Sequence, residues 1–205
     1  MLLPVAIIDD FLGAQQAGAL LDFALAHESA FVPSAISAKG ESVVNPATRH
    51  SLSFSGDLDA AIAPLAAAII EACPRLKAQT GCSDFGGDLS DLGLVAHCDG
   101  HLFKRHVDTT TGLNRMLTPA DRVLSLVYYL HREPKAFAGG DLVMHALIGA
   151  QRQVITPRHD RLVAFPSMAP HEVEPISLPS NNFADARFSV VCWLGRARTA
   201  DAGSI

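Results

Sequence analysis

Arg187-Phe188-Ser189-Val190-Val191-Cys192-Trp193-Leu194 alternates strictly. Phe188, Val190, Cys192 and Leu194 are apolar, whereas Arg187, Ser189, Val191 and Trp193 are the residues between them. A period of two is that of a strand, whose successive side chains face opposite sides of a sheet. One face of this strand suits a packed core. The other carries a guanidinium and an indole, as the wall of a ligand cavity does. Working back, runs rich in Val, Leu, Phe and Tyr recur between Gly, Asp and Pro punctuation. They are Leu92–His97, Leu102–Asp108, Val123–His131, Asp141–Ala146, Gln153–Thr156, Arg161–Phe165 and His171–Ile176. About eight short strands with turn signals predict an antiparallel sandwich or barrel.

The N-terminal part reads differently. Gly13 to His27 is rich in Ala and Leu, with Leu20, Leu21, Ala24 and Leu25 at helical spacing. A second helix begins near Asp57 and lines up Leu58, Ile62, Leu65, Ile69, Cys73 and Leu76, with Pro74 expected to bend or end it. Between them, Phe31 to Phe54 is a mixed polar stretch fit for short strands or a mobile loop. Helices first and strands after is an α+β order, mainly β, with the helices buttressing one sheet. We therefore expect one domain over 1–205, with a helical support region (1–80), a β core (81–196) and a tail (197–205).

Composition narrows the function. Sixteen basic against 21 acidic residues leave a net charge of −5, which argues against general electrostatic binding to nucleic acid. Hydrophobic residues make up 49% and charged ones 18%, enough for a sizeable core and too apolar for a disordered linker. Met1 to Ile8 contains Pro4 and runs into Asp9-Asp10, so neither a secretory signal nor a membrane span is expected, and a cytoplasmic location is. Cys73, Cys82, Cys98 and Cys192 show no C-x-x-C spacing and read as free thiols.

Among nine histidines, His106-Val107-Asp108 stands out. On a strand this spacing turns imidazole and carboxylate to one face. A third ligand must come from elsewhere, and His171 qualifies, at the start of a strand and behind the rigid Pro170. Two histidines and a carboxylate on a β scaffold make the facial triad of non-haem Fe(II) oxygenases. Alone, H-x-D carries little weight.

Several ordered motifs add to it. His101–Asp108, Val123–His131, Gly139-Gly140-Asp141-Leu142, Asp160–Phe165, Pro170–Pro175 and Arg187 followed six residues on by Trp193 resemble the prolyl-hydroxylase branch of the Fe(II)- and 2-oxoglutarate-dependent dioxygenases. The resemblance spans about residues 90–195, with a looser echo in Ile7–Leu12. It implies a double-stranded β-helix, or jelly roll, with iron on His106, Asp108 and His171. The distal carboxylate of 2-oxoglutarate then falls to Arg187 and Tyr129. O2 is the co-reactant, and ascorbate is a candidate reductant. The implied reaction is hydroxylation of a C–H bond with release of succinate and CO2. A prolyl residue of a peptide or protein is the favoured substrate, and a free amino acid or natural-product intermediate the alternative. No nucleic acid or membrane partner is implied. A cupin-like metal protein without oxygenase activity would share the strands and triad but leave Arg187 and Tyr129 unexplained.

Two departures from the family pattern stand out. Arg187 follows His171 by 16 residues where the oxygen-sensing enzymes have nearer nine, which points to an inserted loop, Ser177–Asp185. The family's Tyr ten residues before the first ligand is here Ala96, followed by His97, which either substitutes for the phenol or marks a rearranged pocket. Trp193, Arg122 and His50 are further cavity or substrate candidates. His97, His101, His131 and His145 also fit a structural role. Lys104, Arg105, Arg115, Arg122 and Arg132 read as a solvated rim, or as a basic mouth for an acidic substrate.

Overall fold

The computed structural model describes residues 1–83, 85–118 and 120–198. Its first part runs β1 (Ala6–Ile8), α1 (Ala14–Ala26), β2 (Phe31–Pro33), β3 (Ala35–Ala38), β4 (Glu41–Val44), β5 (Arg49–His50) and β6 (Leu52–Phe54). Next come α2 (Asp59–Thr80), β7 (Asp88–His97), β8 (Leu102–His106), β9 (Ala120–Leu130), β10 (Ala138–Gly139) and β11 (Leu142–His145). The chain ends with β12 (Arg152–Ile155), β13 (Arg161–Pro166), β14 (His171–Val173), β15 (Ile176–Ser177) and β16 (Arg187–Ala197).

Two large antiparallel sheets result, with the two-stranded pairs β3-β4 and β10-β15 beside them. The major one has the order β1-β13-β9-β16-β7-β6-β2, and the minor one β12-β11-β14-β8-β5. This is the jelly-roll architecture with supporting helices. The alternation of β16 is realised as read: Phe188, Val190, Cys192 and Leu194 are at most 1% exposed and pack with Leu20, Leu65, Ile69 and Leu76 of the helices. Tyr129, Val163 and Phe165 face the other way and pack with Leu142, Met144 and Ile155 of the minor sheet. The site lies on this inner face.

Two details differ from the sequence reading, those at Pro74 and at His171–Ile176, and two more sharpen it. Pro74 neither ends nor breaks α2, which runs on to Thr80 and contains Pro64 as well. The carbonyls those prolines leave without donors belong to Ala60 and Ile70, both exposed residues, where solvent can replace the lost donor. The stretch from Phe31 to Phe54 holds five short strands, and β2, β5 and β6 join the two sheets. The run His171–Ile176 splits in two around Pro175, which has no N–H for a ladder. Ser177–Asp185 is a loop with an exposed turn at Pro179-Ser180, anchored at both sides: Leu178 and Phe183 are buried in the helix-side core, and Leu178 N–H donates to Asp99 at 2.7 Å.

One carboxylate ties the helices to the major sheet. Asp160 is 3% exposed and accepts from Leu12 N (2.8 Å), Gly13 N (2.8 Å) and Tyr128 Oη (2.7 Å). Its φ of 57° adds a preference for Asp or Asn over alanine. A buried donor left unpaired costs about 1–3 kcal/mol. Asp160→Ala is therefore expected to lose on the order of 3 kcal/mol or more of stability, read from the urea midpoint at unchanged slope.

Candidate functional site

β8 ends at His106, so Asp108 lies beyond the strand and not on it. It is fixed instead by the turn after β13: Asp108 N–H and Thr109 N–H both donate to Ser167 O, at 2.9 and 3.1 Å. His171 begins β14 and pairs in register with His106 across the minor sheet. The ligand atoms of His106, Asp108 and His171 thus lie within 4.8 Å of one another.

The tautomers follow from the neighbours. His106 Nδ1 is 2.7 Å from Lys104 O, and His171 Nδ1 is 2.9 Å from Ala169 O. A carbonyl only accepts, so both rings carry the proton on Nδ1 and turn an Nε2 lone pair inward. Asp108 Oδ1 lies 3.4 Å from His106 Nε2. Its Oδ2 accepts from Ser125 Oγ at 2.6 Å and from Trp193 Nε1 at 3.1 Å. Burial alone raises the Asp108 carboxyl. Positive charge at the facing Nε2 atoms, whether proton or metal, and the Ser125 hydroxyl outweigh it and hold the group far below the carboxylate range. Burial lowers His171 below its ordinary value, with Asp108 opposing. Two neutral imidazoles and an ionised carboxylate are the donor set a divalent iron takes.

Deeper in the same cavity, three strands of the major sheet supply Tyr129 (β9), Arg187 (β16) and His97 (β7). Arg187 is 1% exposed, and its Nη1 donates to Gly140 O at 2.6 Å. A Cβ on Gly140 would come within 2.5 Å of Ile176, so glycine allows that close approach. Arg187 Nη2 lies 2.9 Å from His97 Nδ1. Guanidinium only donates, so His97 carries its proton on Nε2. Burial, then the charge of Arg187, keeps His97 neutral, well below its ordinary value. Burial pushes Tyr129 up to about 12, with Arg187 opposing. Arg187 Nε, Tyr129 Oη and His97 Nε2 are all buried without a partner among the described residues. Three unpaired donors in one dry pocket fit an anion with several acceptor oxygens.

The remaining candidates divide. Trp193 lines the cavity and reaches Asp108. Arg122 stacks on the Trp193 ring at 3.5 Å and pairs with Asp91 at 3.1 Å, so its charge is spent. Arg115 likewise forks onto Asp121, at 2.7 and 2.6 Å. Two of the five rim cations are thus paired with acids, and Lys104, Arg105 and Arg132 are exposed. His50 is not on the cavity wall but exposed, stacked on His101 at 4.0 Å. Side chains alternate along β5, so it is Arg49 that faces inward. His145 pairs with Glu172 at 2.9 Å, and His131 sits on Arg132 O at 2.9 Å. Arg49, Ser125 and Ser167 were not singled out from sequence as site residues. The face of β9 that holds Ser125 was legible, whereas Arg49 had no local signal.

Comparison with known proteins agrees with this geometry. The profile of the 2OG-Fe(II) oxygenase superfamily matches residues 92–195. An uncharacterized PKHD-type hydroxylase of Synechocystis is 32% identical over 149 residues, 69% of this chain and 48% of that one. The chain therefore spans about half the length of that curated relative. A Trichoplax adhaerens prolyl hydroxylase, solved with a peptide fragment of a hypoxia-inducible-factor oxygen degradation domain, superposes with a TM-score of 0.70 at 22% identity. The superposition covers 94% of this chain and 83% of that one. For a Pseudomonas putida prolyl-4-hydroxylase the values are 0.66, 20%, 96% and 94%. Among the described residues, no helix is long and apolar enough to cross a membrane.

Proposed function

Since this chain belongs to the 2OG-Fe(II) oxygenase superfamily, we propose that it hydroxylates a prolyl residue of a peptide or protein, consuming O2 and 2-oxoglutarate and releasing succinate and CO2. The family's cofactor is Fe(II), with 2-oxoglutarate and O2 as co-reactants. One oxygen atom goes into the new hydroxyl and the other into succinate. The observation that carries this reading is the pairing of two half-sites in one cavity: the His106, Asp108 and His171 donor set, and three buried donors without partners.

His106 Nε2, His171 Nε2 and Asp108 Oδ1 would hold the iron. Ser125 and Trp193 keep the other Asp108 oxygen occupied, which fixes the carboxylate's rotation. Arg187, Tyr129 and His97 would receive the distal carboxylate of 2-oxoglutarate. His97 here does the work of the missing phenol: it accepts from Arg187 on one nitrogen and offers a proton on the other. Iron and 2-oxoglutarate, once bound, supply the oxidation of an unactivated C–H bond. A cupin-like metal protein has no use for the anion pocket, and this disfavours that rival. The prolyl substrate takes its support from the two structural neighbours and the peptide that one of them holds.

The test is succinate formation in the presence of Fe(II), 2-oxoglutarate and O2, with and without proline-containing peptides. Stimulation by a peptide that gains the mass of one oxygen atom is the expected result. Stimulation by a free amino acid alone points to the small-molecule reading. No binding of 2-oxoglutarate at all overturns the oxygenase assignment of the site.

A further inference from the structure

Arg49 is the one cavity cation whose charge the proposed chemistry leaves unmatched. Its position is built: Nε donates to Ser51 Oγ at 3.0 Å, Nη1 to Ala35 O at 3.2 Å, and the guanidinium carbon sits 5.1 Å over the Phe103 ring. Phe103 in turn stacks on the metal ligand His106 at 3.6 Å. Arg49 also lines both the inner cavity and its mouth. Nη2 makes no hydrogen bond, and no carboxylate comes within ion-pair distance of the guanidinium, among the described residues. Burial weakens its hold on its proton, and Asp108 is the acid that opposes this.

The charge count then decides. Two positive charges on the metal and one on Arg187 are met by Asp108 and the two carboxylates of 2-oxoglutarate. Asp108 is thereby committed to the metal, and Arg49 is left facing a site with no net negative charge. Arg122, the other guanidinium at the mouth, already has Asp91. A half-buried guanidinium beside a dication is unfavourable unless an anion joins it. Its planar fork selects a carboxylate.

On the oxygenase reading above, we propose that Arg49 binds a carboxylate of the prime substrate, so that the hydroxylated carbon belongs to a molecule with an acidic group close by. A free amino acid and a peptide with Asp or Glu beside the target residue share this chemistry. Arg49 is a specificity residue in both cases.

Matched probes test it: L-proline against L-prolinamide, and N-acetyl-Pro-Asp-amide against N-acetyl-Pro-Asn-amide. Each is titrated anaerobically into the complex of protein, Fe(II) and 2-oxoglutarate, following the shift of its visible absorption, which reads binding and not turnover. We expect at least one acid to bind tenfold or more tighter than its amide. Arg49→Gln should abolish that preference, and Arg49→Lys should restore part of it. The pair that responds names the source of the carboxylate. Equal binding within both pairs, no response to either acid, or a preference that survives Arg49→Gln overturns the proposal. A missing absorption band before any probe is added means instead that the oxygenase reading has failed.

Discussion

Arg187→Ala is expected to raise the 2-oxoglutarate requirement at least about a hundredfold while Fe(II) binding stays near that of the parent. Arg187 is 1% exposed, and in so buried a place a charge-assisted fork is stronger than a neutral hydrogen bond. Removing one partner of a buried ion pair costs on the order of 3–5 kcal/mol, because the other charge stays buried alone. At about 1.4 kcal/mol per decade this is two to three decades or more in affinity. Fe(II) is spared because the triad makes no hydrogen bond to Arg187 among the described residues. Tyr129→Phe removes one unpaired donor and keeps the ring, so its effect is the same in direction and smaller. Anaerobic titration of both variants with 2-oxoglutarate measures this. An Arg187→Ala protein that binds 2-oxoglutarate like the parent shows that the anion sits elsewhere.

Asp108→Ala is expected to bring 2-oxoglutarate-dependent succinate formation to the level without enzyme. It removes the only charged member of the donor set and leaves two neutral imidazoles. Loss of an outer-shell partner already costs 10- to 100-fold in metal affinity or activity, so loss of a ligand costs more than about a hundredfold. Manganese(II) titration followed by electron paramagnetic resonance reads the metal directly, and circular dichroism checks the fold. Full activity in this variant means that iron is held by other residues.

The contrast between these residues shows what a sequence can reveal. The cavity face of β9 and β16 was legible because a period of two survives any register: once Phe188 and Val190 are core, Arg187 and Ser189 must face the other way. The triad was legible because its residue types are scarce and their order is informative. Asp108 was placed beside His106 for a partly wrong reason, since it is held by Ser167 and not by the strand. Arg49 and His50 show the opposite case. Which of two adjacent residues faces the cavity depends on the pairing of Arg49 with Phe103, 54 positions further along the chain, and no local pattern encodes it. The rim shows the same limit, because the pairing of Arg122 with Asp91 and of Arg115 with Asp121 is set only by folding. Pro74 misled because the packing of Leu65, Ile69, Cys73 and Leu76 into the core holds α2 together across a proline on its exposed side.

The two half-sites stand on opposite sheets. His106 and His171 belong to the minor sheet, whereas Tyr129, Arg187 and His97 occupy three neighbouring strands of the major one. On the proposed reading, a small molecule gripped at both ends would act as a rivet through the sandwich, and its supply would bear on how long the folded protein lasts. Ligand at a hundred times its dissociation constant adds about 2.7 kcal/mol to stability, roughly a hundredfold fewer unfolded copies exposed to proteases. On the proposed reading, loss of iron or 2-oxoglutarate would expose the same chain to faster clearance, and its abundance would then follow the supply of both.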